Sequence, residues 1–355
     1  MMLLWARQVL AVLRLEMRKS FFARRGLWIY LLALAPVLLF AAYSYTATRE
    51  RAQRAQRSTA AVLPLERLSE IQPEMTRADV IAILGRPGHR QIEKRRRVTH
   101  EFLWYSDARM DFIVHLTNGK VTGVNRRESA NLTQDTLLFA GVFQFFYLRL
   151  AVFFGCLGVF VNLFRGELLD KSLHFYFLAP IRREVVLAGK FLAGLIATVV
   201  IFSISALLQL WALSMHLNAG DVQQYLWQGN GAHHVAAYLG VTALACLGYG
   251  SVFLAGGVFF RNPIVPAALV LIWESANWIL PAALKKISII FYLQSLSPIV
   301  APAGMNVPPP LALLASTTAA TPASLAIPGL LIMSLAALAL AAAKLRKLEI
   351  NYASD

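Results

Sequence analysis

The sequence predicts an all-α polytopic membrane protein with six transmembrane helices and one small inserted α+β domain. The 355-residue chain is 57% hydrophobic with only 15% charged residues, and its mean hydropathy is +0.56. It contains apolar runs of about 20 residues, which is the length that a helix needs to cross a bilayer. Residues 48–134 interrupt these runs with a polar stretch that holds 16 of the 34 Lys and Arg residues.

The N-terminal residues predict an interfacial helix followed by the first span. Residues 1–26 have a helical period, with apolar residues on one side and Arg7, Arg14 and Arg18 on another. Such a helix lies in the inner interface, where its basic residues meet lipid headgroups. Residues 27–47 are interpreted as an uncleaved span rather than a signal peptide, because their apolar stretch is too long and a basic segment precedes them.

Residues 135–350 are predicted to hold the five remaining spans. These are placed at about 136–163, 185–214, 235–260, 264–284 and 324–343. Basic residues in short loops stay on the cytoplasmic side, which predicts cytoplasmic termini and an extracytoplasmic 48–134 domain. Residues 285–323 are interpreted as an outer re-entrant or amphipathic segment, because a seventh span would place the basic tail at Lys344 outside.

For the inserted domain, residues 48–134, the sequence predicts a helix packed on a three-stranded antiparallel meander. Thr76 can cap a short helix at 77–84 that Gly85 ends. Asn118-Gly119 is a strong signal for a two-residue hairpin turn. The strands are predicted at 98–105, 110–117 and 120–125. The expected core residues are Trp104, Phe112, Val114 and Leu116.

Two ionisable residues, Arg149 and Glu274, lie well inside predicted spans. A charge at this depth is costly and usually faces the bundle interior or a wet path. This intramembrane polar pair has two interpretations. It is either a substrate-path or gating pair, or it is structural, as an ion pair or as an arginine that reaches towards the interface.

Several classes of chemistry find no support in the sequence. The string that begins at Gly166 lacks the glycine before the lysine and the spacing of a phosphate-binding loop, so any driving ATP is expected on another chain. Cys156 and Cys246 lie in apolar helices and predict no metal site. Basic residues outside 48–134 cluster at the ends of apolar runs, which argues against nucleic acid as a partner. The histidines at the outer ends of spans are interpreted as surface residues; they are His216, His233 and His234.

The segment 165–190 is charged and amphipathic and lies between two long apolar runs, so it must sit at a membrane surface. It resembles the first cytoplasmic coupling segment of type-2 ABC transporter permeases, with a coupling helix at 165–180. The matching positions are Glu167, Pro180, Arg182, Arg183, Leu187 and Gly189-Lys190. Lys171-Ser172-Leu173 departs from the family's usual Gly-Thr-Leu. The resemblance covers about 1–47 and 135–350.

That resemblance implies the membrane subunit of an ATP-driven exporter in a bacterial inner membrane. Two such subunits would pair as a homo- or heterodimer, and two ABC ATPase subunits would bind ATP and Mg, so that this chain holds no cofactor itself. The expected ATPase contacts are Glu167, Asp170, His174 and Phe175. Arg182 and Arg183 are expected to anchor the coupling helix at lipid headgroups.

Residues 68–126 resemble a different family, the BamE/SmpA-type lipoprotein domain. The matching positions are Met75-Thr76, Val80, Leu84-Gly85-Arg86-Pro87, Trp104-Tyr105, Phe112 and Asn118-Gly119-Lys120-Val121. Domains of that type bind proteins and lipid headgroups, which implies an envelope partner for this part of the chain.

Two further hypotheses stay open at this point. One is a non-transporting membrane anchor that presents the outer domain to an envelope assembly. The other is an intramembrane lipid-modifying enzyme, which needs His, Asp or Ser residues clustered at one membrane depth. The sequence itself shows no such cluster.

Overall fold

The computed structural model describes most of the chain, and contacts divide it into two compact units. The described residues are 2–22, 27–57, 70–95, 98–106, 110–128, 132–169, 181–260, 262–276, 282–299 and 321–347. The helical unit contains Met1–Phe40, Thr136–Ala212 and Val222–Asp355. The sheet unit contains Ala41–Asp135 and Leu213–Asp221.

Helices make up most of the described chain. In order they are α1 (Met2–Phe22), α2 (Leu27–Arg57), α3 (Arg77–Leu84), α4 (Leu132–Val142), α5 (Phe153–Leu169), α6 (Arg183–Ser214), α7 (Ala219–Trp227), α8 (Gly231–Phe259), α9 (Ile264–Ser275), α10 (Ala282–Lys285), α11 (Ile289–Leu296) and α12 (Ala323–Arg346). A π-helical segment, Phe143–Val152, joins α4 to α5. π-helical turns are rare and occur frequently at functional sites.

Among the described residues, five helical stretches are long and apolar enough to cross a membrane. They are Leu27–Glu50, Leu132–Phe164, Arg183–Ser214, Gly231–Phe259 and Ala323–Arg346. The predicted span at 264–284 is not among these five; its residues 277–281 lie outside the described part of the chain, and the described helix α9 has 12 residues. A helix of that length rises about 18 Å, whereas the hydrocarbon core is about 30 Å thick.

The described helices between α8 and α12 are all short. α11 has eight residues, and its Ile289, Ile290 and Leu293 side chains are almost completely buried. This is the described part of the segment that the sequence predicts to be re-entrant or amphipathic at 285–323. Residues 300–320 of that segment lie outside the described residues.

Glycines allow the helices of the helical unit to approach closely. A β-carbon placed on Gly250 of α8 would lie 2.5 Å from Phe160 Cζ of α5. Small residues at such contacts are what membrane helices use to pack without a hydrophobic driving force. Cys156 and Cys246 on the same two helices are both fully buried, which agrees with their interpretation as small residues at a helix contact.

The sheet unit contains one antiparallel sheet with the strand order β1-β2-β3-β4. The strands are β1 (His89–Arg95), β2 (Val98–Ser106), β3 (Met110–Thr117) and β4 (Lys120–Glu128). The prediction of three strands missed β1, whose sequence HRQIEKR has no apolar alternation. β1 is an edge strand, and charged side chains on an edge discourage pairing with other chains.

The core of the sheet unit lies between α3 and one face of the sheet. Phe112, Val114 and Leu116 are buried there as predicted. Trp104 was expected in this core, but Leu103 and Tyr105 take its place. Successive side chains on a strand point to opposite faces, so the burial of its two neighbours puts Trp104 on the other face.

Local signals in the sheet unit are confirmed by its backbone. Thr76 precedes α3, and its N–H donates to Asp79 Oδ2 at 2.9 Å, which holds the start of the helix. Gly85 ends the helix at a positive φ of 81°. Asn118 and Gly119 have φ values of 52° and 82°, which is the pattern of the type I′ hairpin turn.

The core contacts predict that Leu103→Ala destabilises the sheet unit by about 2–5 kcal/mol, because it removes a completely buried side chain and leaves a cavity. Ile92→Ala on β1 is the matched control, since that side chain is 47% exposed. Hydrogen exchange of the sheet amides in the full-length protein measures the difference. Equal loss of protection in both variants would contradict this core assignment.

Candidate functional site

Glu274 lies near the end of α9, and its carboxylate accepts hydrogen bonds at the N-terminus of α11. Its Oε2 accepts hydrogen bonds from Ser288 Oγ at 2.8 Å and from the Ile290 N–H at 2.9 Å. Its Oε1 accepts one from the Ile289 N–H at 2.9 Å. The first N–H groups of a helix have no partner within the helix, and the helix dipole places partial positive charge there. Glu274 therefore satisfies buried donors that the short helix cannot satisfy itself.

Arg149, the other member of the predicted polar pair, lies in the π-helical segment. Its guanidinium carbon is 5.5 Å from the centre of the Phe145 ring. It attracts Glu274 electrostatically, but no ion pair within 4.0 Å joins these two described residues. Arg149 Nε is buried and has no described hydrogen-bond acceptor. The structure thus brings the two charges into the same region without pairing them directly.

The predicted ATPase contacts fall largely outside the described residues. Glu167 belongs to α5, which ends at Leu169. Asp170, His174 and Phe175, together with most of the predicted coupling helix at 165–180, lie outside the described part of the chain. Description resumes at residue 181, just before α6.

Arg182 and Arg183, expected at lipid headgroups, contact other helices of the helical unit. The Arg182 guanidinium lies over the Trp5 ring of α1, 4.7 Å from its centre. Arg183 Nη1 donates to the carbonyl oxygens of Leu345 and Arg346 at 2.9 and 3.1 Å. These are among the last carbonyls of α12, which lack partners within their own helix. The basic pair therefore joins the start of α6 to α1 and to the end of α12.

A buried ion pair between Lys190 and Glu16 connects α6 to α1. Lys190 Nζ lies 2.7 Å from Glu16 Oε1, and both side chains are at most 4% exposed. Beside the pair, a β-carbon on Gly189 would lie 2.7 Å from the Val12 side chain, so the two helices touch here. Removing one partner of a buried ion pair leaves an uncompensated charge, which makes such a pair costly to break.

The sheet unit contains a buried series of hydrogen bonds that involves Tyr43, Ser44, Asp135 and His216. His216 Nε2 lies 3.0 Å from Asp135 Oδ2, and His216 Nδ1 lies 3.1 Å from Ser44 Oγ. Tyr43 donates to the other oxygen of Asp135 at 2.9 Å. His216 is only 6% exposed, so its interpretation as a surface histidine is wrong.

The hydrogen bonds link Ser44 to His216 and His216 to Asp135, as in the Ser–His–Asp triad of a hydrolase. The sequence alone does not reveal this arrangement. Ser44, however, lies within α2 and is only 3% exposed, so a substrate cannot reach its hydroxyl. The contacts join residues of α2 and α4 to the turn after α6. The arrangement therefore fixes helix ends and gives no support to the hypothesis of a lipid-modifying enzyme. Within the described residues, no group of three or more potential ligands could hold a metal ion.

Sequence reasoning missed both buried networks, but a signal for one of them exists. Val9, Val12 and Glu16 follow helical spacing and lie on one side of α1, so an acidic residue on an apolar stripe indicates a buried partner. No comparable signal connects Ser44, Asp135 and His216. They are separated by more than 80 residues in sequence, and only the fold brings them together.

Five described helices are long and apolar enough to cross a membrane, which is typical of an integral membrane protein. A protein-family model described as ABC-2 family transporter protein matches residues 10–272. This match covers more than half of the chain, and the chain belongs to that family. No curated protein and no solved structure matches it.

Replacing one partner of the buried ion pair should destabilise the protein strongly, and replacing the second partner as well should restore most of the stability. Lys190→Met should cost about 3–5 kcal/mol, because Glu16 would stay buried without its cation. Adding Glu16→Met removes the orphaned charge and should recover most of the loss. The thermal midpoint of the purified protein, followed by tryptophan fluorescence, reports both changes.

Arg182→Met serves as the control for that experiment, because Arg182 is exposed and makes a cation–π contact instead of a buried ion pair. A double variant no more stable than Lys190→Met alone would show that Glu16 is not the group left without a partner.

Proposed function

We propose that this chain is the membrane-spanning permease subunit of an ATP-driven ABC transporter that works as an exporter. Membership of the ABC-2 transporter family across residues 10–272 is the observation that carries the proposal. Separate ATPase subunits bind Mg and ATP, and they act on the permease through the 165–184 loop. A second permease subunit, identical or related, completes the assembly.

The contacts at the start of α6 support coupling through this loop. α5 leads into the loop and α6 leads out of it. Arg182 contacts α1, Arg183 contacts α12, and Lys190 pairs with Glu16 of α1. A displacement of the loop would therefore move the beginning of α6 together with two other helices, rather than one helix alone.

The proposed orientation places both termini and the 165–184 loop in the cytoplasm and residues 48–134 outside the inner membrane. Loops with many Lys and Arg residues favour this arrangement. The sheet unit would then face the envelope. We assign it a docking role toward an envelope protein or lipid headgroups, in line with the similarity of residues 68–126 to BamE/SmpA-type domains.

The proposal is tested by purifying the chain with its partner ATPase. ATP hydrolysis is expected to require this subunit. The double variant Glu167→Lys, Asp170→Lys should reduce ATPase recovery or transport-coupled turnover about tenfold or more, because like charges across an interface cost several kcal/mol.

Glu50→Lys combined with Asp221→Lys provides the matched control, since it makes the same charge change at two exposed residues far from the loop in sequence. This control should leave ATPase recovery unchanged. If the chain never purifies with an ATPase but does purify with envelope proteins, the membrane-anchor hypothesis is the better one.

A further inference from the structure

Large apolar side chains form one continuous exposed stripe along α6. They recur every three or four residues, so consecutive members lie above one another on the helix surface. From the first member to the last the helix rises about 28 Å, which is close to the thickness of a hydrocarbon core. Each is between 36% and 61% exposed, and the stripe consists of Leu192, Ile196, Val200, Ile204, Leu208 and Trp211.

Where α6 contacts other helices, it uses small residues instead. A β-carbon on Gly194 would lie 2.9 Å from the side chains of Leu163 and Phe160 in α5. Membrane helices pack on one another through small residues of this kind, because these let the backbones approach. The stripe of large side chains therefore fits lipid better than a further helix. Trp211, at its end, marks the level of the membrane–water interface, where tryptophan is enriched.

Short connections hold α7 close to this level. Four residues, 215–218, separate it from the end of α6, and three residues, 228–230, separate it from the start of α8. Four extended residues reach about 14 Å at most, so α7 lies near the ends of two spans. With His neutral, the only charged side chain in 215–230 is that of Asp221. Such a segment offers little charge for a water-soluble partner to complement.

Tyr225 fixes the end of α7 against the start of α8. Its hydroxyl oxygen lies 2.6 Å from His234 Nδ1, and a β-carbon on Gly231 would lie 2.6 Å from its ring. Trp227 follows two residues later, and its side chain is 79% exposed. An indole has a large apolar surface and one N–H donor, which suits the boundary between hydrocarbon and headgroups. The fixed turn thus presents an exposed indole where two spans end.

We propose that α7 is an interfacial helix and that Trp227, together with Trp211, contacts phospholipid at the headgroup level of one leaflet. The ring lies against the upper part of the acyl chains, and the indole N–H donates to ester or phosphate oxygens of the lipid. In the orientation proposed above, this is the outer leaflet. The contact requires neither an ATPase nor transport, so it stands apart from the proposed function.

Quenching of tryptophan fluorescence tests this contact in the full-length protein. The protein is reconstituted in liposomes of phosphatidylcholine that carries bromine either close to the headgroup or near the chain ends. Subtracting the emission of Trp227→Phe from that of the unchanged protein isolates the emission of Trp227. Bromine close to the headgroup should quench this emission more strongly than bromine near the chain ends. Iodide on both sides of the membrane should quench it only weakly.

Two further variants serve as references. Trp211→Phe should reveal an emission that is quenched in the same order, because Trp211 ends the lipid-facing stripe of α6. Trp104→Phe is the matched control. Its difference emission should respond to neither brominated lipid, since Trp104 belongs to β2 of the sheet unit.

Two results would overturn the proposal. Strong quenching of the Trp227 emission by iodide, with none by bromine, would place the indole in water. The absence of quenching by all three agents would mean that protein, such as a second copy of this chain, covers the indole. Neither result bears on the transporter function, which is tested by recovery of the ATPase.

Discussion

The structure of this protein depends on how a helical bundle within a membrane satisfies buried polar backbone groups. A bilayer core offers no water, so a helix that begins inside the bundle needs an acceptor for its first N–H groups. Glu274 supplies it for α11, with two backbone hydrogen bonds and one from Ser288. This contact lets a short, buried helix exist between α9 and α12, in the segment 285–323 that the sequence predicts to be re-entrant or amphipathic.

The same reasoning applies to other described charges of the helical unit. Lys190 and Glu16 form a buried ion pair, and Arg183 donates hydrogen bonds to the last carbonyl oxygens of α12. These contacts join α1, α6 and α12 at the end of α6 that follows the 165–184 loop. Arg149 differs from these residues, since its Nε has no described acceptor.

Much of the fold could be predicted from local patterns. Apolar runs located five membrane-length helices, and Thr76, Gly85 and Asn118-Gly119 marked the short helix and the hairpin, because each acts over a few residues. β1 was missed because charged edge strands lack alternation. The core position on β2 was misjudged by one residue: Trp104 was expected there, and Leu103 and Tyr105 occupy it, because successive side chains of a strand point to opposite faces. Within the predicted span 264–284, the described residues form α9 and the four-residue helix α10. The hydrogen bonds from Glu274 to the start of α11 could not be predicted, because apolarity alone does not reveal a carboxylate that caps an internal helix.

The candidate site was only partly accessible to sequence reasoning. Arg149 and Glu274 stood out as charges in apolar runs, yet the π-helical segment and the acceptor role of Glu274 depend on tertiary contacts. The hydrogen bonds that link Ser44, His216 and Asp135 could not be predicted, because these residues come from three segments that are distant in sequence.

The most direct test of the whole account is the side of the membrane on which the 165–184 loop lies. Glu167→Cys and, separately, Lys120→Cys are labelled with a membrane-impermeant maleimide in spheroplasts and in inverted vesicles. The native Cys156 and Cys246 are fully buried and provide the background. We expect Glu167→Cys to react only in inverted vesicles and Lys120→Cys only in spheroplasts. Reaction of Glu167→Cys from the outside would contradict a permease driven from the cytoplasm.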